Sequence, residues 1–135
     1  MQIIKFRGKI IDDPSGHWLF GDLRHTSDGV ESISLATTGD TAKVSPVTVG
    51  QFTGLKDHKG REIYEGDIVK VVSYGEESFH VVKYMIDLDY PAFDLEPAMD
   101  GDFNSLSYCM ISIDTKITVI GNIHDNPELL RMTKK

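Results

Sequence analysis

The chain has 135 residues and a formal net charge of −7, and its contents of hydrophobic (40%) and charged residues (26%) are those of an ordinary globular protein. This length suits one domain with one core, and no long segment is poor enough in apolar residues to predict disorder. Lys5, Arg7 and Lys9 interrupt the first apolar stretch, which argues against a signal peptide or a membrane span. We therefore expect a cytoplasmic protein. The single cysteine, Cys109, cannot form an internal disulfide, and we expect a small buried residue there.

The negative charge is concentrated in one segment. No Lys or Arg lies between Lys83 and Lys116, and the acids there are Asp87, Asp89, Asp94, Glu96, Asp100, Asp102 and Asp114. The rest of the chain has 14 bases and 14 acids, so the whole net charge belongs to this segment. Such a concentration would repel a phosphate backbone locally and attract a basic partner or a cation.

The first 46 residues predict a β-hairpin region. Alternation of side-chain character over Gln2–Ile11 predicts a strand, and the composition of Asp12–Gly16 is typical of a turn, so residues 3–23 are expected to form a hairpin. Glu31–Ala36 alternates in the same way and predicts a third strand. Thr37–Pro46 is polar and marked by Gly and Pro, which predicts a loop.

The middle of the chain alternates turn signals with β-branched runs. Asp57–Gly60 suits a type I turn with Gly in the final, left-handed position, and Glu65–Asp67 predicts a sharp bend. Ile68–Val72 then gives the strongest strand signal of the chain. A turn predicted at Gly75–Ser78 leads into a strand over Phe79–Leu88 that is long enough to pair with it.

After Pro91 the chain is acidic and irregular in character until a last predicted strand at Lys116–Ile120. Asn126, Pro127 and Glu128 are typical of a helix start, which predicts a short helix over residues 126–132. The whole chain is thus expected to be one all-β or nearly all-β domain, with a hairpin region (1–46), a core (47–123) and the short helix.

Motifs in the middle and near both ends together resemble a known family. The middle segment is the most specific, and its residues are Gln51, Thr53, Gly54, Leu55, Lys56, Asp57, Gly60, Ile63, Tyr64, Glu65, Gly66, Asp67, Ile68 and Val69. Lys5–Arg7 precedes this segment, and Ile120–Ile123 and Asn126–Leu129 follow it in the expected order. With these motifs the chain resembles the YopX family of phages, prophages and related mobile elements.

The resemblance implies a mostly β fold, a small barrel-like element around Gly66–Val69 and self-association. It implies no known activity, because the family has no established one. The same four residues also resemble the start of SH3-like barrels of the KOW type, in which a Gly-Asp bend begins the first barrel strand.

We interpret the motif residues as structural, and we predict no catalytic site. Tyr64 is expected to pack, Glu65 and Gly66 to form the bend, and Asp67 to accept hydrogen bonds from backbone N–H groups. A catalytic role for Tyr64, Glu65 or Asp67 is the alternative, since all three lie in the motif. The Gly-rich segment 51–60 lacks the spacing and the following helix of a phosphate-binding loop.

We predict no metal or cofactor, although one acidic pattern leaves a metal open as an alternative. The five histidines have no helix-face spacing typical of a zinc site. The acid-x-acid pairs are Asp87 and Asp89, Asp94 and Glu96, and Asp100 and Asp102. On a strand each pair would direct its carboxylates to one face. That face is either solvated, or a surface for a basic protein partner, or a site for a divalent cation.

Two functions from different classes follow. The first is a non-enzymatic, homo-oligomeric protein-interaction module, whose acidic face binds a basic protein and whose open sheet edges favour self-association. The alternative is a small nucleic-acid-binding module on an SH3-like barrel. Its residues would be Lys5, Arg7, Lys9, Lys56, Lys59 and Arg61 on phosphates, with Phe52 or Tyr64 stacking on bases. The pI of 5.1 argues against this alternative.

Overall fold

The computed structural model describes residues 4–25, 31–34, 40–84, 92–97 and 105–133. Clustering of contacts divides the chain into two compact units, Met1–Gly54 (unit 1) and Leu55–Lys135 (unit 2). This boundary lies later than the predicted one at residue 46, and the single-domain organisation stays a prediction. Several predicted features lie outside the described residues, namely the ends of two strands (35–36 and 85–88) and the carboxylates of Asp87, Asp89, Asp100 and Asp102.

The described residues are mostly β-strand, as the sequence predicts, with a few short helices. The strands are β1 (Phe6–Lys9), β2 (Trp18–His25), β3 (Glu31–Ser34), β4 (Thr41–Lys43), β5 (Gly50–Lys56), β6 (Glu62–Tyr64), β7 (Asp67–Ser73), β8 (Glu76–Tyr84), β9 (Phe93–Glu96) and β10 (Thr115–Asn122). Helix α1 spans Ser105–Ile111, and 3-10 helices span Pro46–Thr48 and Pro127–Thr133. No helix in these ranges combines the length and apolar character needed to cross a bilayer.

Unit 1 is built on an antiparallel sheet with the order β4-β3-β2-β1-β5. β1 and β2 form the predicted hairpin, with Phe6 opposite Gly21 and Lys9 opposite Trp18. Asp13 organises the connecting turn, because its carboxylate accepts hydrogen bonds from the N–H groups of Ser15 (2.9 Å) and His17 (3.2 Å). The predicted hairpin is therefore confirmed.

One face of this sheet is apolar and tightly packed. Ile33 and Val44 have no exposed surface. A Cβ atom added to Gly21 would lie 2.1 Å from the carbonyl oxygen of Ser34, so only glycine lets β2 approach β3 at this point. The alternation of side chains sends the other residues of these strands to the opposite face.

The predicted loop over Thr37–Pro46 is wrong at its centre. Thr41–Lys43 forms β4, in which Ala42 pairs with Ile33. Its sequence, TAK, has no β-branched apolar run, so the local sequence gave no strand signal. Tertiary pairing with β3 rather than local propensity creates this strand.

Unit 2 is built on an open antiparallel sheet with the order β10-β7-β8-β9. The predicted strand at Ile68–Val72 is its central strand β7, where Val71 pairs with Ile117 on β10 and with Ser78 on β8. Because β10 and β9 stay at opposite edges in the described residues, the barrel-like element expected from the sequence is an open sheet. The core consists of Ile63, Val69, Val71, Val82, Leu95, Leu106, Cys109 and Ile117.

The turn between β7 and β8 lies slightly earlier than predicted. Tyr74 and Gly75 both have positive φ angles (52° and 82°), as in a two-residue type I′ hairpin. Glu76–Ser78 already pairs with β7. The two acids after Gly75 gave the sequence a turn-like composition, but the cross-strand register places them in the strand.

Within the acidic segment after Pro91, the described residues 92–97 and 105–111 are more regular than predicted. β9 pairs with β8, and α1 contributes Leu106 and Cys109 to the core. Burial explains these elements, since neither is strongly favoured by its local sequence. The short C-terminal helix is confirmed over Pro127–Thr133, and it is a 3-10 helix with Glu128 in its first turn.

Candidate binding surface

The motif residue Asp57 fastens the turn between β5 and β6 to β10. Its carboxylate is buried and accepts hydrogen bonds from the N–H groups of Lys59, Arg61 and Val119, each at 2.9 Å. Arg61 also approaches it through Nε at 3.3 Å. Gly60 closes the turn by donating its N–H to the carbonyl of Asp57 at 3.0 Å. One carboxylate thus holds two segments that are far apart in sequence.

These contacts set the charge state of Asp57. Burial raises its pKa, but the N–H groups of Val119, Arg61 and Lys59 and the charge of Arg61 outweigh it, so the pKa lies below its ordinary value. The group is ionised at neutral pH. His58 adds to the same junction, because its N–H donates to the carbonyl of Ile117 and its Nδ1 accepts the N–H of Ile117 at 2.9 Å.

Asp67, Tyr64 and Gly66 form a second junction within unit 2. Buried Asp67 accepts the N–H of Tyr64 at 2.8 Å, as expected for a residue that satisfies backbone donors. Gly66 donates to the carbonyl of Val82, and its own carbonyl accepts the N–H of Ile123. The hydroxyl of Tyr64 donates to Glu62 at 3.0 Å.

The remaining motif residues lie along the same strands and turns. Gln51 pairs with Phe6 between β5 and β1, Thr53, Gly54 and Leu55 follow it in β5, and Glu65 lies in the bend before β7. These positions support our structural interpretation of the motif, which stays a prediction.

The two described members of the predicted acidic face differ in their surroundings. Asp94 is buried, and one of its carboxylate oxygens accepts the N–H groups of Leu95 and Leu106, both at 2.9 Å. Asp94 therefore connects β9 to the start of α1 rather than facing solvent. Glu96 is exposed and forms an ion pair with Lys83 at 3.0 Å. The other four predicted members lie outside the described residues.

Other candidate chemistry in unit 2 is buried. Cys109 is in the core, as the sequence predicts, and burial, with a contribution from Asp94, raises the pKa of its thiol to about 11. His80 is also buried, with its ring nitrogens against Ser78 Oγ and the carbonyl of Pro97. No three His, Cys, Asp or Glu side chains within the described ranges form a group that could hold a metal ion.

A different surface emerges on the unit 1 sheet, opposite its apolar face. Residues that pair directly across antiparallel strands share a face, and the register pairs Arg7 with Phe20, Lys9 with Trp18, and Arg24 with Ser32. Ser32 pairs in turn with Lys43. Four bases of unit 1 therefore share one face, and the alternation of side chains adds Lys5, two residues before Arg7. We call it the basic aromatic face, and its residues are Lys5, Arg7, Lys9, Trp18, Phe20, Arg24 and Lys43.

Cations and rings are in contact on this face. The guanidinium of Arg7 lies 4.7 Å and the ammonium of Lys9 lies 5.9 Å from the centre of the Trp18 ring. The ammonium of Lys5 lies 5.1 Å from the ring of Phe52. Phe20 is 44% exposed, and Arg24 and Lys43 are also exposed. Arg7 itself is buried, and Lys5, Lys9 and Trp18 are half-buried, so the most exposed part of the face is formed by Phe20, Arg24 and Lys43.

The structure divides the bases that the sequence suggested for nucleic acid. Lys5, Arg7 and Lys9 share the basic aromatic face. The cluster of Lys56, Lys59 and Arg61 lies at the end of β5 and in its connection to β6, within unit 2. Phe52 and Tyr64, the aromatics named for stacking, are buried.

Sequence reasoning missed four residues of the face, which are Trp18, Phe20, Arg24 and Lys43. The alternation of Trp18, Phe20, Asp22 and Arg24 within β2 was the available signal.

The units also differ in charge. Unit 1 has five bases and six acids, whereas unit 2 has nine bases and 15 acids. Of the acids of unit 1, Asp22 is the one that the described strand registers place on the basic aromatic face. A positive surface therefore exists within a chain whose net charge is −7.

Fold and surface together define a mostly β protein with a charged aromatic sheet face, and comparisons with known proteins assign its family. The family model described as YopX protein matches residues 6–131, so the chain belongs to the YopX family. The crystal structure of protein EF1440 from Enterococcus faecalis is similar, with a TM-score of 0.56 and 28% identity over 96% of this chain and 99% of that one. No curated protein matches the chain.

Proposed function

We propose that this protein is a non-enzymatic, homo-oligomeric protein-interaction module of phage or prophage origin that acts in the host cytoplasm, and that its contact surface is the basic aromatic face. One observation carries the proposal, which is the collection of all five bases of unit 1 beside Trp18 and Phe20 on one face of a sheet. Aromatic side chains and arginine are enriched at the centres of protein interfaces.

The partner of such a face carries acidic groups, and unit 2 of a second copy offers them. Unit 2 has 15 acids against nine bases, so each copy brings a negatively charged unit to the contact. Complementary charges of this kind favour encounter and fix orientation. The protein's overall negative charge repels a long polyanion but does not oppose a contact between oppositely charged parts of two copies.

The edges of the described sheets support association through a face rather than through strand addition. β4 has three residues and ends in exposed Lys43, a common form of protected edge. On β10, the N–H groups of Ile117 and Val119 are already bonded to His58 and Asp57.

Sedimentation velocity over a concentration series at low and high salt tests the proposal. We expect a defined homo-oligomer that weakens as salt rises, because exposed charge pairs are screened within about 8 Å at physiological ionic strength. Arg24→Glu should weaken association by about tenfold, the equivalent of losing one favourable charge contact of about 1.4 kcal/mol. Arg131→Glu is the matched control, since it makes the same charge change on the exposed C-terminal helix. A monomer at every concentration would contradict the proposal.

A second candidate function is binding of single-stranded nucleic acid. It is favoured by the cation–π contacts of Arg7 and Lys9 with the Trp18 ring. Trp18 is the only tryptophan, so its emission reports directly on this face. Titration with a thymidine oligonucleotide separates the two candidates. If the oligonucleotide quenches the emission to saturation, and this quenching falls with salt and is lost in Arg24→Glu, the function is nucleic-acid binding and not protein interaction. Unchanged emission would exclude nucleic acid from this face.

A further inference from the structure

A second surface, on unit 2, has the properties that the basic aromatic face requires in a partner. The hairpin end of β7 and β8 lies beside the start of β10, because the N–H of Tyr74 donates to the carbonyl of Asp114 at 3.2 Å and Ser73 pairs with both Glu76 and Thr115. Helix α1 ends at Ile111, three residues before Asp114.

This end of unit 2 exposes large apolar side chains. The exposed fractions are 72% for Tyr74, 80% for Ile111 and 94% for Ile113. Large apolar side chains that stay exposed at one end of a unit are typical of interaction sites. The exposed acids Glu76 and Glu77 begin β8, and exposed Asp114 directly precedes β10, where exposed Lys116 lies across β7 from Glu77. We call this surface the acidic tip, and its residues are Tyr74, Glu76, Glu77, Ile111, Ile113 and Asp114.

We propose that the acidic tip of one copy docks on the basic aromatic face of a second copy. This inference rests on the proposed homo-oligomer and names the two surfaces that form its contact. The acids of the tip oppose the cations of the face, and the apolar groups of the tip pack against Trp18 and Phe20. Charge complementarity favours this occupant, because the acids of the tip attract the cations of the face and every second copy supplies a tip.

The contact is head to tail, since each copy contributes a different surface. Such heterologous contacts close into a ring or extend into a filament. A copy with a disabled face still offers an intact tip, and a copy with a disabled tip still offers an intact face. This property gives the inference a direct test.

The test mixes two variants in native mass spectrometry. The face variant carries Arg24→Glu and Lys43→Glu, and the tip variant carries the neutral changes Glu76→Gln and Asp114→Asn, so that the two disabled surfaces do not attract each other. All four positions are exposed, so folding should survive, and circular dichroism checks this. We expect each variant alone to be monomeric and the mixture to form a one-to-one heterodimer that cannot extend. A control mixture of the face variant with Arg131→Glu should also give a heterodimer beside oligomers of the control.

Three results would overturn the inference in distinguishable ways. If wild type is monomeric, the proposed homo-oligomer itself fails. If wild type is oligomeric and the tip variant remains so, the oligomer stands but the acidic tip is not its contact. If both variants are monomeric and their mixture stays monomeric, the two surfaces do not contact each other.

Discussion

The buried carboxylates of unit 2 and the exposed bases of unit 1 have different roles. In unit 2, Asp57, Asp67 and Asp94 are buried and accept hydrogen bonds from backbone N–H groups. In unit 1, exposed Arg24 and Lys43 lie on the outer face of the sheet. Asp57 and Asp67 of the family motif thus form hydrogen bonds with backbone N–H groups of turns and strands. Most residues of the basic aromatic face lie outside this motif.

The largest expected effect concerns the buried carboxylate of unit 2. Asp57→Ala leaves three backbone N–H groups without their acceptor, and we expect a loss of about 3 kcal/mol in the free energy of unfolding. Urea denaturation measures the loss. Lys59→Ala, in the same turn but exposed, should change stability by less than about 0.5 kcal/mol. Equal effects of the two substitutions would contradict the role given to Asp57.

A smaller effect is expected from the close approach of strands in unit 1. Gly21→Ala places a Cβ atom 2.1 Å from the carbonyl oxygen of Ser34, which must push β2 and β3 apart. We expect a cost of about 2 kcal/mol. Hydrogen exchange should then accelerate in β2 and β3 while β7 and β8 keep their protection. Acceleration spread evenly over both units would show that their stabilities are not separate.

The pH dependence of stability should also follow the buried carboxylate. The pKa of Asp57 in the folded protein lies below the ordinary value of 3.8, so its contribution is complete above about pH 4 and is lost as pH falls through the folded pKa. Thermal unfolding between pH 7 and pH 2 measures this loss. Asp57→Asn should lower stability at pH 7 and flatten the acid-induced decrease. A variant with the wild-type slope would assign the acid sensitivity to other groups.

The smallest stability effect is predicted for a substitution in the β7–β8 turn. This substitution should stabilise the fold but weaken self-association. Asn tolerates the positive φ of Tyr74 better than Tyr does, so Tyr74→Asn should stabilise the fold by less than about 1 kcal/mol. The same change removes an apolar group from the acidic tip and should weaken self-association. Thermal unfolding and sedimentation velocity on one sample measure both. Unchanged association would remove Tyr74 from the contact.

The sequence predicted the parts of the fold that local chemistry determines. The β1–β2 hairpin follows from a turn-rich segment between alternating strands, and β7 from its β-branched run. β4 and α1 were missed because pairing with β3 and burial of Leu106 and Cys109 create them. The burial of Asp94 was missed for the same reason, since an acid-x-acid pattern does not show which carboxylate meets the start of a helix.

The basic aromatic face was only partly visible in the sequence. The spacing of Lys5, Arg7 and Lys9 already implied one face of a strand. Adding Arg24 and Lys43 requires the registers of β2, β3 and β4, which sequence pattern alone does not give. The interpretation of Phe52 as an exposed stacking residue was wrong, because its ring is buried beside Lys5.

The most direct test of the basic aromatic face is acrylamide quenching of Trp18 at low and high protein concentration. Because Trp18 is the only tryptophan, the quenching constant measures access to this face alone. Our account predicts that the constant falls by about half when the protein associates, since a docked partner covers rings at an interface centre. It also predicts that Arg24→Glu needs about tenfold more protein to show the same fall. An oligomer in which Trp18 is quenched as readily as in the monomer would contradict the account.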